Sequence, residues 1–338
     1  MIIGERYQLA PKTLEAIFAA LARDGVRVLA PRRVDQHVAL LPVKSLAEVA
    51  LDAVQASGSA KAAVFPPVEQ LLSFTGSGQD LRLQDPEPTA PPTVVFGIRP
   101  CEARAFKSLQ LVFDWDSPDT LFDAHLAMTT VVSLGCTQAD EACFCTSVGG
   151  GPRDTQGSDL LLQPLQGGGF AADVLTAKGQ ALLGLAGELL PLGPEGMLEP
   201  APEVEPAFDA ARLPEALEAA FDSPVWGEES LRCLGCGTCA FVCPTCSCFD
   251  IQDEKRDGGG RRLRCWDSCG LHQFTLHASG HNPRETQGQR WRQRVSHKFL
   301  YFPERFSAAA CVGCGKCARA CPADMSLKEF LRALTRGR

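Results

Sequence analysis

Cys233-Leu234-Gly235-Cys236-Gly237-Thr238-Cys239-Ala240-Phe241-Val242-Cys243-Pro244 is matched later in the chain by Cys311-Val312-Gly313-Cys314-Gly315-Lys316-Cys317-Ala318-Arg319-Ala320-Cys321-Pro322. Both read C-x2-C-x2-C-x3-C-P, the spacing of bacterial two-cluster ferredoxins. Cysteines at i, i+3 and i+6 wrap one face of an iron–sulfur cubane, and the fourth ligand must come from elsewhere. In such ferredoxins the fourth cysteine of each run serves the other cluster. The expected sets are Cys233, Cys236, Cys239 and Cys321 for one [4Fe–4S] cluster, and Cys311, Cys314, Cys317 and Cys243 for a second. Gly235, Gly237, Gly313 and Gly315 give the wrapping backbone room, and Pro244 and Pro322 stop the turn from continuing. Zinc also uses C-x2-C, but four thiolates round one ion give no reason for the longer run twice over. Two crossed clusters in one small domain favour conduction over structural stapling.

Working outward, 67 residues separate Cys243 from Cys311, far more than a compact ferredoxin needs. Residues 231–338 are therefore expected to form an α+β two-cluster, ferredoxin-like domain with an insertion over about 249–310. Residues 190–206 are rich in Pro, Glu and Gly, and 190–230 read as a linker with a short helix at Pro214–Phe221. Residues 1–189 read as an α/β domain. Apolar spacing predicts a helix over Thr13–Arg23, a strand over Val26–Leu29 stopped by Pro31, a helix from Ser45 to Ala53 and another at Val68–Phe74. Thr93–Gly97 and Thr129–Leu134 read as buried strands, Glu102–Phe113 and Lys178–Leu185 as helices, and Leu160–Gln163 with Ala171–Leu175 as a hairpin.

Cys101, Cys136, Cys143 and Cys145 are all the cysteines of the first 232 residues. Cys101 and Cys136 each lie just beyond a predicted strand. If those strands are parallel, both thiols leave the same carboxyl edge of the sheet, where open α/β sheets place their sites. Four unrelated buried thiols would give the same count, but their loop positions favour a third [4Fe–4S] cluster. The start of the following helix should lower the thiol pKa of Cys101. Gly149-Gly150-Gly151 lacks the strand–loop–helix context of a phosphate cradle and reads as tight packing near the cluster.

Cys246, Cys248, Cys265 and Cys269 remain, and sixteen cysteines divide evenly into four cubanes. C-x-C and C-x3-C are poor cubane spacings, so structural thiols and a further metal site both stay open. Arg261, Arg262, Arg264, Arg284, Arg290, Arg292, Arg294 and Lys298 make this segment basic. Such a run is usually a solvated face. Beside anionic clusters it would also stabilise the reduced state, or dock an acidic partner. His272, His277, His281 and His297 are assigned to no metal.

Sixteen cysteines call for metal rather than disulfides in a reducing compartment. The net charge of −7 becomes more negative with clusters bound, since each four-thiolate core adds about −2 when oxidised. Nucleic acid is not expected as a partner. Neither a run of about 18 apolar residues nor a signal-like start is present, so no membrane span and a cytoplasmic location are expected.

The chain resembles the electron-transfer family that includes an iron–sulfur component of anaerobic sulfite reductase and the β-subunit of sulfhydrogenase-type [NiFe] hydrogenases. The resemblance rests on Phe96-Gly97-Ile98-Arg99-Pro100-Cys101, Cys143-Phe144-Cys145-Thr146-Ser147, Cys243-Pro244-Thr245-Cys246-Ser247-Cys248-Phe249, Trp266-Asp267-Ser268-Cys269 and His297-Lys298. Cys101-Glu102 stands where the family often has Cys-Asp, and Cys265 is outside the shared pattern. The resemblance implies a non-catalytic subunit of an oxidoreductase complex. It would relay single electrons from an FAD- and NAD(P)H-binding reductase partner to a catalytic redox subunit, or the reverse. No G-x-G-x-x-G follows a strand, so nicotinamide chemistry is expected in a partner. The competing readings are a flavin enzyme of deazaflavin- or NAD(P)H-dehydrogenase type with its site in the first domain, and a cluster-stapled scaffold.

Overall fold

A computed structural model describes residues 1–187, 189–193 and 196–336; Pro194 and Glu195 of the expected linker lie outside the described residues. In chain order the strands are β1 (Arg6–Leu9), β2 (Arg27–Val34), β3 (His37–Val43), β4 (Val68–Thr75), β5 (Arg82–Gln84), β6 (Thr93–Ile98), β7 (Thr129–Leu134), β8 (Leu160–Pro164), β9 (Phe170–Val174), β10 (Phe249–Arg256) and β11 (Gly259–Trp266). Seven form a sheet in the order β1-β9-β8-β7-β6-β2-β3, whose centre, β2-β6-β7-β8, is parallel. Parallel strands are covered on both faces, which explains why β6 is buried along its whole length. Val94 and Phe96 join helix α1 (Pro11–Arg23) through Leu14, Ile17, Phe18 and Leu21. Val95 and Ile98 join helix α2 (Pro100–Phe113) through Ala103, Phe106 and Leu109, with Phe122 of helix α3 (Thr120–Met128) beside them. Helix α4 (Ala177–Gly184) adds Leu182 and Leu183 to the first face.

Gly97 is what lets Val95 and Ile98 share a face. Its φ of +72° makes it an extra residue in the pairing with β7, where Phe96 opposes Val132 but Ile98 opposes Ser133. Such a bulge re-aims a strand end, here the one that leads to Cys101.

Three sequence expectations fail locally, each because a tertiary partner decides. β2 runs through Pro31 to Val34. Its pairing with β6 ends at Leu29, and the Pro31 carbonyl accepts from Ala50 N on that open side, so the missing N–H of Pro31 leaves no strand bond unmade. The helix expected from Ser45 to Ala53 is one 3-10 turn, Leu46–Glu48, after which Val49 bridges to Arg32. Val68–Phe74 is strand rather than helix, because β4 pairs antiparallel with β11 almost two hundred residues on.

That pairing builds a second sheet, β10-β11-β4-β5, from both halves of the chain. Phe65 is fully buried, with Trp266 5.7 Å and Phe113 5.1 Å from its ring centroid. Beyond their area such aromatic pairs contribute about 0.5–1.5 kcal/mol each. Glu69 of β4 binds Arg264 of β11 and His125 of α3 (3.0 Å to the imidazole), and Arg264 also reaches Asp119. The insertion is therefore fastened to the first half by a buried ionic and aromatic joint.

A second apolar core gathers Phe208, Leu213, Leu217, Val225 and Trp226 with Trp291, Val295, Phe299 and Leu300 of the insertion and Leu327, Phe330 and Leu331 of the last helix, Leu327–Arg336. Phe144, from the loop of the first half, is part of this core. Among the described residues no helix is long and apolar enough to cross a membrane.

Candidate metal centres

β6 and β7 are parallel, and Cys101 and Cys136 follow them at one carboxyl edge. With Cys143 and Cys145 they line one pocket, together with Gln55, Arg99, Gly313 and Cys314. Arg99, buried, gathers the rim: its guanidinium donates to the carbonyls of Val54 (3.2 Å), Leu51 (3.2 Å), Gly135 (3.4 Å) and Ala53. Phe144, packed 5.9 Å from the Phe208 ring centroid, anchors the cysteines on either side of it in the second core. Arg319 donates to Cys143 Sγ at 3.2 Å and to Cys314 O at 2.6 Å while pairing with Asp140.

The expected low pKa of Cys101 is overturned. Burial, then the neighbouring Cys136 and Glu102, push its thiol well above the ordinary value. Burial likewise raises Cys136 to about 11 against the pull of Arg99. Such thiols ionise when metal takes the place of their protons.

A second pocket is lined by Cys233, Cys236, Cys239 and Cys321, with Cys317 also in its lining. Gln287 Nε2 donates to Cys233 Sγ at 3.1 Å, and Thr238 Oγ1 lies 3.3 Å from the exposed Cys236 Sγ. Gly237 has φ +73°, and a Cβ there would meet Ser268 at 3.0 Å, so the loop cannot take a larger residue without shifting.

Cys243 is buried, and Cys311 and Cys314 each feel its charge and that of Cys317. Lys298, on a π-helical turn (His297–Tyr301), donates to Cys243 Sγ at 3.4 Å, to Thr245 Oγ1 at 3.0 Å and to Ala310 O at 2.7 Å. Arg294 donates to Cys246 Sγ at 3.4 Å and to Cys239 O at 2.9 Å. Lys61 donates to Ala240 O and Cys246 O and lies 4.1 Å from the Trp266 ring centroid. All three cations are buried, and none has a carboxylate partner among the described residues. Unpaired buried cations cost several kcal/mol each, so this site fits a resident anionic group. A hydrogen bond from Cys246, with Lys298 and Arg294 beside it, holds Cys243 well below the ordinary thiol value despite burial.

The second cysteine run lies against the first pocket. Phe144 N donates to Gly313 O at 2.9 Å. A Cβ on Gly313 would sit 2.5 Å from Cys145 N, and one on Gly315 would sit 2.4 Å from Ala142 O. Both glycines have positive φ, but this close approach alone would exclude a side chain. Cys314 itself lines the first pocket and feels the charge of Cys101.

Among the described residues no three His, Cys, Asp or Glu groups close round one point as a single ion requires. The thiols line wider pockets, which suits a four-iron core better than zinc. Of the remaining cysteines, Cys246, Cys248 and Cys269 lie together next to these sets, whereas Cys265 sits in β11 between Asp250 and Val68. Gln55 and Lys61 join these sites with no local signal in the sequence to mark them, whereas Arg99 and Lys316 stand inside the motifs of their neighbouring cysteines. Lys298 reads in the sequence as part of a basic run and of the His297-Lys298 motif, neither of which places it against Cys243.

A family model described as a 4Fe–4S dicluster domain matches residues 232–325. Sulfhydrogenase 2 subunit beta of Pyrococcus furiosus is 32% identical over 253 residues, covering 72% of this chain and 74% of that one. The chain belongs to the sulfhydrogenase beta-subunit family. As a member of it, with a mixed α/β fold and a C-terminal dicluster domain, this is a 4Fe–4S iron–sulfur protein of electron transport. No solved structure matches the chain.

Proposed function

We propose that this sulfhydrogenase-type beta subunit is a one-electron relay with three [4Fe–4S] clusters in a row. Cys101, Cys136, Cys143 and Cys145 would hold the first, Cys311, Cys314, Cys317 and Cys243 the middle one, and Cys233, Cys236, Cys239 and Cys321 the outer one. The observation that carries this reading is the double membership of the second cysteine run. Cys314 lines the first pocket and Cys317 the outer one, while both belong to the middle set. When bound, such a core takes up and returns one electron.

The chain's own groups then have separate tasks. Arg319 and Gln55 donate toward Cys143 and Cys101 sulfur on the first set, at 3.2 and 3.9 Å. Lys298, Arg294 and Lys61 concentrate positive charge at the middle set, which favours the reduced state there. Cys236 brings the outer set to the surface beside Leu231 and Leu234, both exposed.

The α/β unit of residues 1–189, the linker of 190–230 and the two-cluster ferredoxin-like unit of 231–338 are the proposed divisions, with β4 and β11 as the clasp between them. Two partners are proposed: a reductase that binds FAD and NAD(P)H, and a catalytic redox subunit. A hydrogenase-type catalytic partner is favoured over a sulfite reductase by the name of the Pyrococcus relative. Anaerobic affinity purification of the tagged chain tests this: both partners should copurify, and NAD(P)H should reduce dye only in their presence. NAD(P)H-dependent dye reduction by the isolated chain, with bound flavin, would instead make it an enzyme in its own right.

A further inference from the structure

Cys248 and Cys269 are absorbed by none of the three thiol sets. The antiparallel pairing of β10 with β11 begins at Phe249 opposite Trp266, and Asp267 N donates to Cys248 O at 3.0 Å just beyond it. That open end of the hairpin brings the two side chains together, and their sulfurs share a hydrogen bond. Both are partly buried. Each lies next to one of the sets described above: Cys239 of the outer set feels the charge of Cys269, and Cys248 adjoins Cys246, which is hydrogen-bonded to Cys243 of the middle set. Among the described residues no third group closes round them as a single metal ion would need.

We propose that Cys248 and Cys269 form a redox-active dithiol–disulfide couple, a two-electron site between two one-electron sites. It rests on the reading that the Cys239 and Cys243 sets hold iron–sulfur clusters, because these are the electron donors and acceptors. On oxidation one S–S bond forms, the pair's thiol protons leave to solvent (two S–H bonds broken, or the single S–H of Cys248 where Cys269 is thiolate), and one electron passes to each of the two neighbouring clusters. Reduction takes one electron back from each cluster together with the same protons. Thiol chemistry of this kind is eased when one sulfur is thiolate and its neighbour keeps a proton. The environment is asymmetric in that sense. A hydrogen bond from Cys248, with Arg294, Lys298 and Arg284 nearby, brings Cys269 down to about 6 against the effect of burial, while Cys248 is raised. Such a couple would let a wire that carries electrons singly deliver them in pairs.

The test uses the full chain, purified anaerobically with its iron. Samples poised with ferricyanide or with dithionite are acid-quenched and blocked with N-ethylmaleimide. They are then reduced, labelled with a heavy maleimide and mapped by mass spectrometry. Thiols released from clusters take the light label in both samples. Cys248 and Cys269 should take the heavy label in the oxidised sample and the light label in the reduced one, changing together. Cys269→Ser should leave Cys248 light throughout with iron content unchanged, and Cys265→Ser should alter nothing. Light label on both residues in both samples, with iron intact, would overturn the proposal. Loss of about four irons, or of zinc, in Cys269→Ser would overturn it in favour of a metal site. A preparation without iron would defeat the relay reading, whatever labels the pair carried.

Discussion

Glu102 and Lys316 form a buried ion pair, Oε2 to Nζ at 3.1 Å, joining the residue after Cys101 to the residue before Cys317. Both side chains are almost inaccessible. Glu102 also accepts from Ala60 N at 2.7 Å, and Lys316 donates to the carbonyls of Ala56 and Gly58 at 2.6 and 2.8 Å. One pair thus locks the second cysteine run, the α2 terminus and the loop before β4 into a single unit.

Because the pair is dry, removing one partner strands the other. Glu102→Gln should destabilise the holoprotein by about 3–5 kcal/mol, read as a lower midpoint in anaerobic guanidinium unfolding. The double variant Glu102→Gln with Lys316→Met should recover much of that loss. A single variant as stable as the parent would show that the pair is not the lock between the halves.

Iron content separates three clusters from two or four. The parent chain should hold about 12 irons and Cys143→Ala about four fewer, whereas Cys265→Ala should be unchanged. About 8 irons in both parent and Cys143→Ala would leave the first pocket without metal.

Lys298 contributes a positive charge 3.4 Å from Cys243 Sγ. A cation stabilises the more negative, reduced state, so its removal lowers the potential. Lys298→Met should shift one of the three cluster signals downward by on the order of 60 mV, a tenfold change in a one-electron equilibrium. Potentiometric titration followed by electron paramagnetic resonance would read it, and three unshifted signals would refute the assignment.

Iron removal should unfold the C-terminal half rather than leave an empty scaffold. Without a bound anion, Lys61, Arg294 and Lys298 are buried charges whose partners among the described residues are carbonyls, thiols, the Thr245 hydroxyl and the Trp266 ring. Trp226 and Trp291 lie in the adjoining core and should report the change as a red shift of fluorescence on chelation. Emission that stays native in iron-free protein would mean that the core holds without the clusters.

Much of the first half is legible from pattern alone. The strands at Thr93 and Thr129, the helix after Cys101 and the hairpin at Leu160 carry unbroken apolar runs or regular apolar spacing that chain-local physics reads well. β4 reads as helix because Val68–Thr75 has no strict alternation, and its strand character comes from Glu69 and Phe74 meeting Arg264 and Gly260. The N-terminal thiols read as a set only on the assumption of parallel strands, which the pairing of β6 with β7 supplies.

The sequence by itself determined the chemistry: two runs of cysteines at fixed short spacing can hold cubanes because ligand geometry over six residues is a local property. Only the tertiary structure decided how those runs are arranged and tuned. It set the second run against the Cys143-Phe144-Cys145 loop, brought Lys61 and Lys298 from opposite halves to the Cys246 carbonyl and the Cys243 sulfur, and left Cys248 beside Cys269. Those relations span from about 20 to about 185 residues of chain. They arise from burial and charge pairing, which act on distance in space and leave no mark on spacing along the sequence.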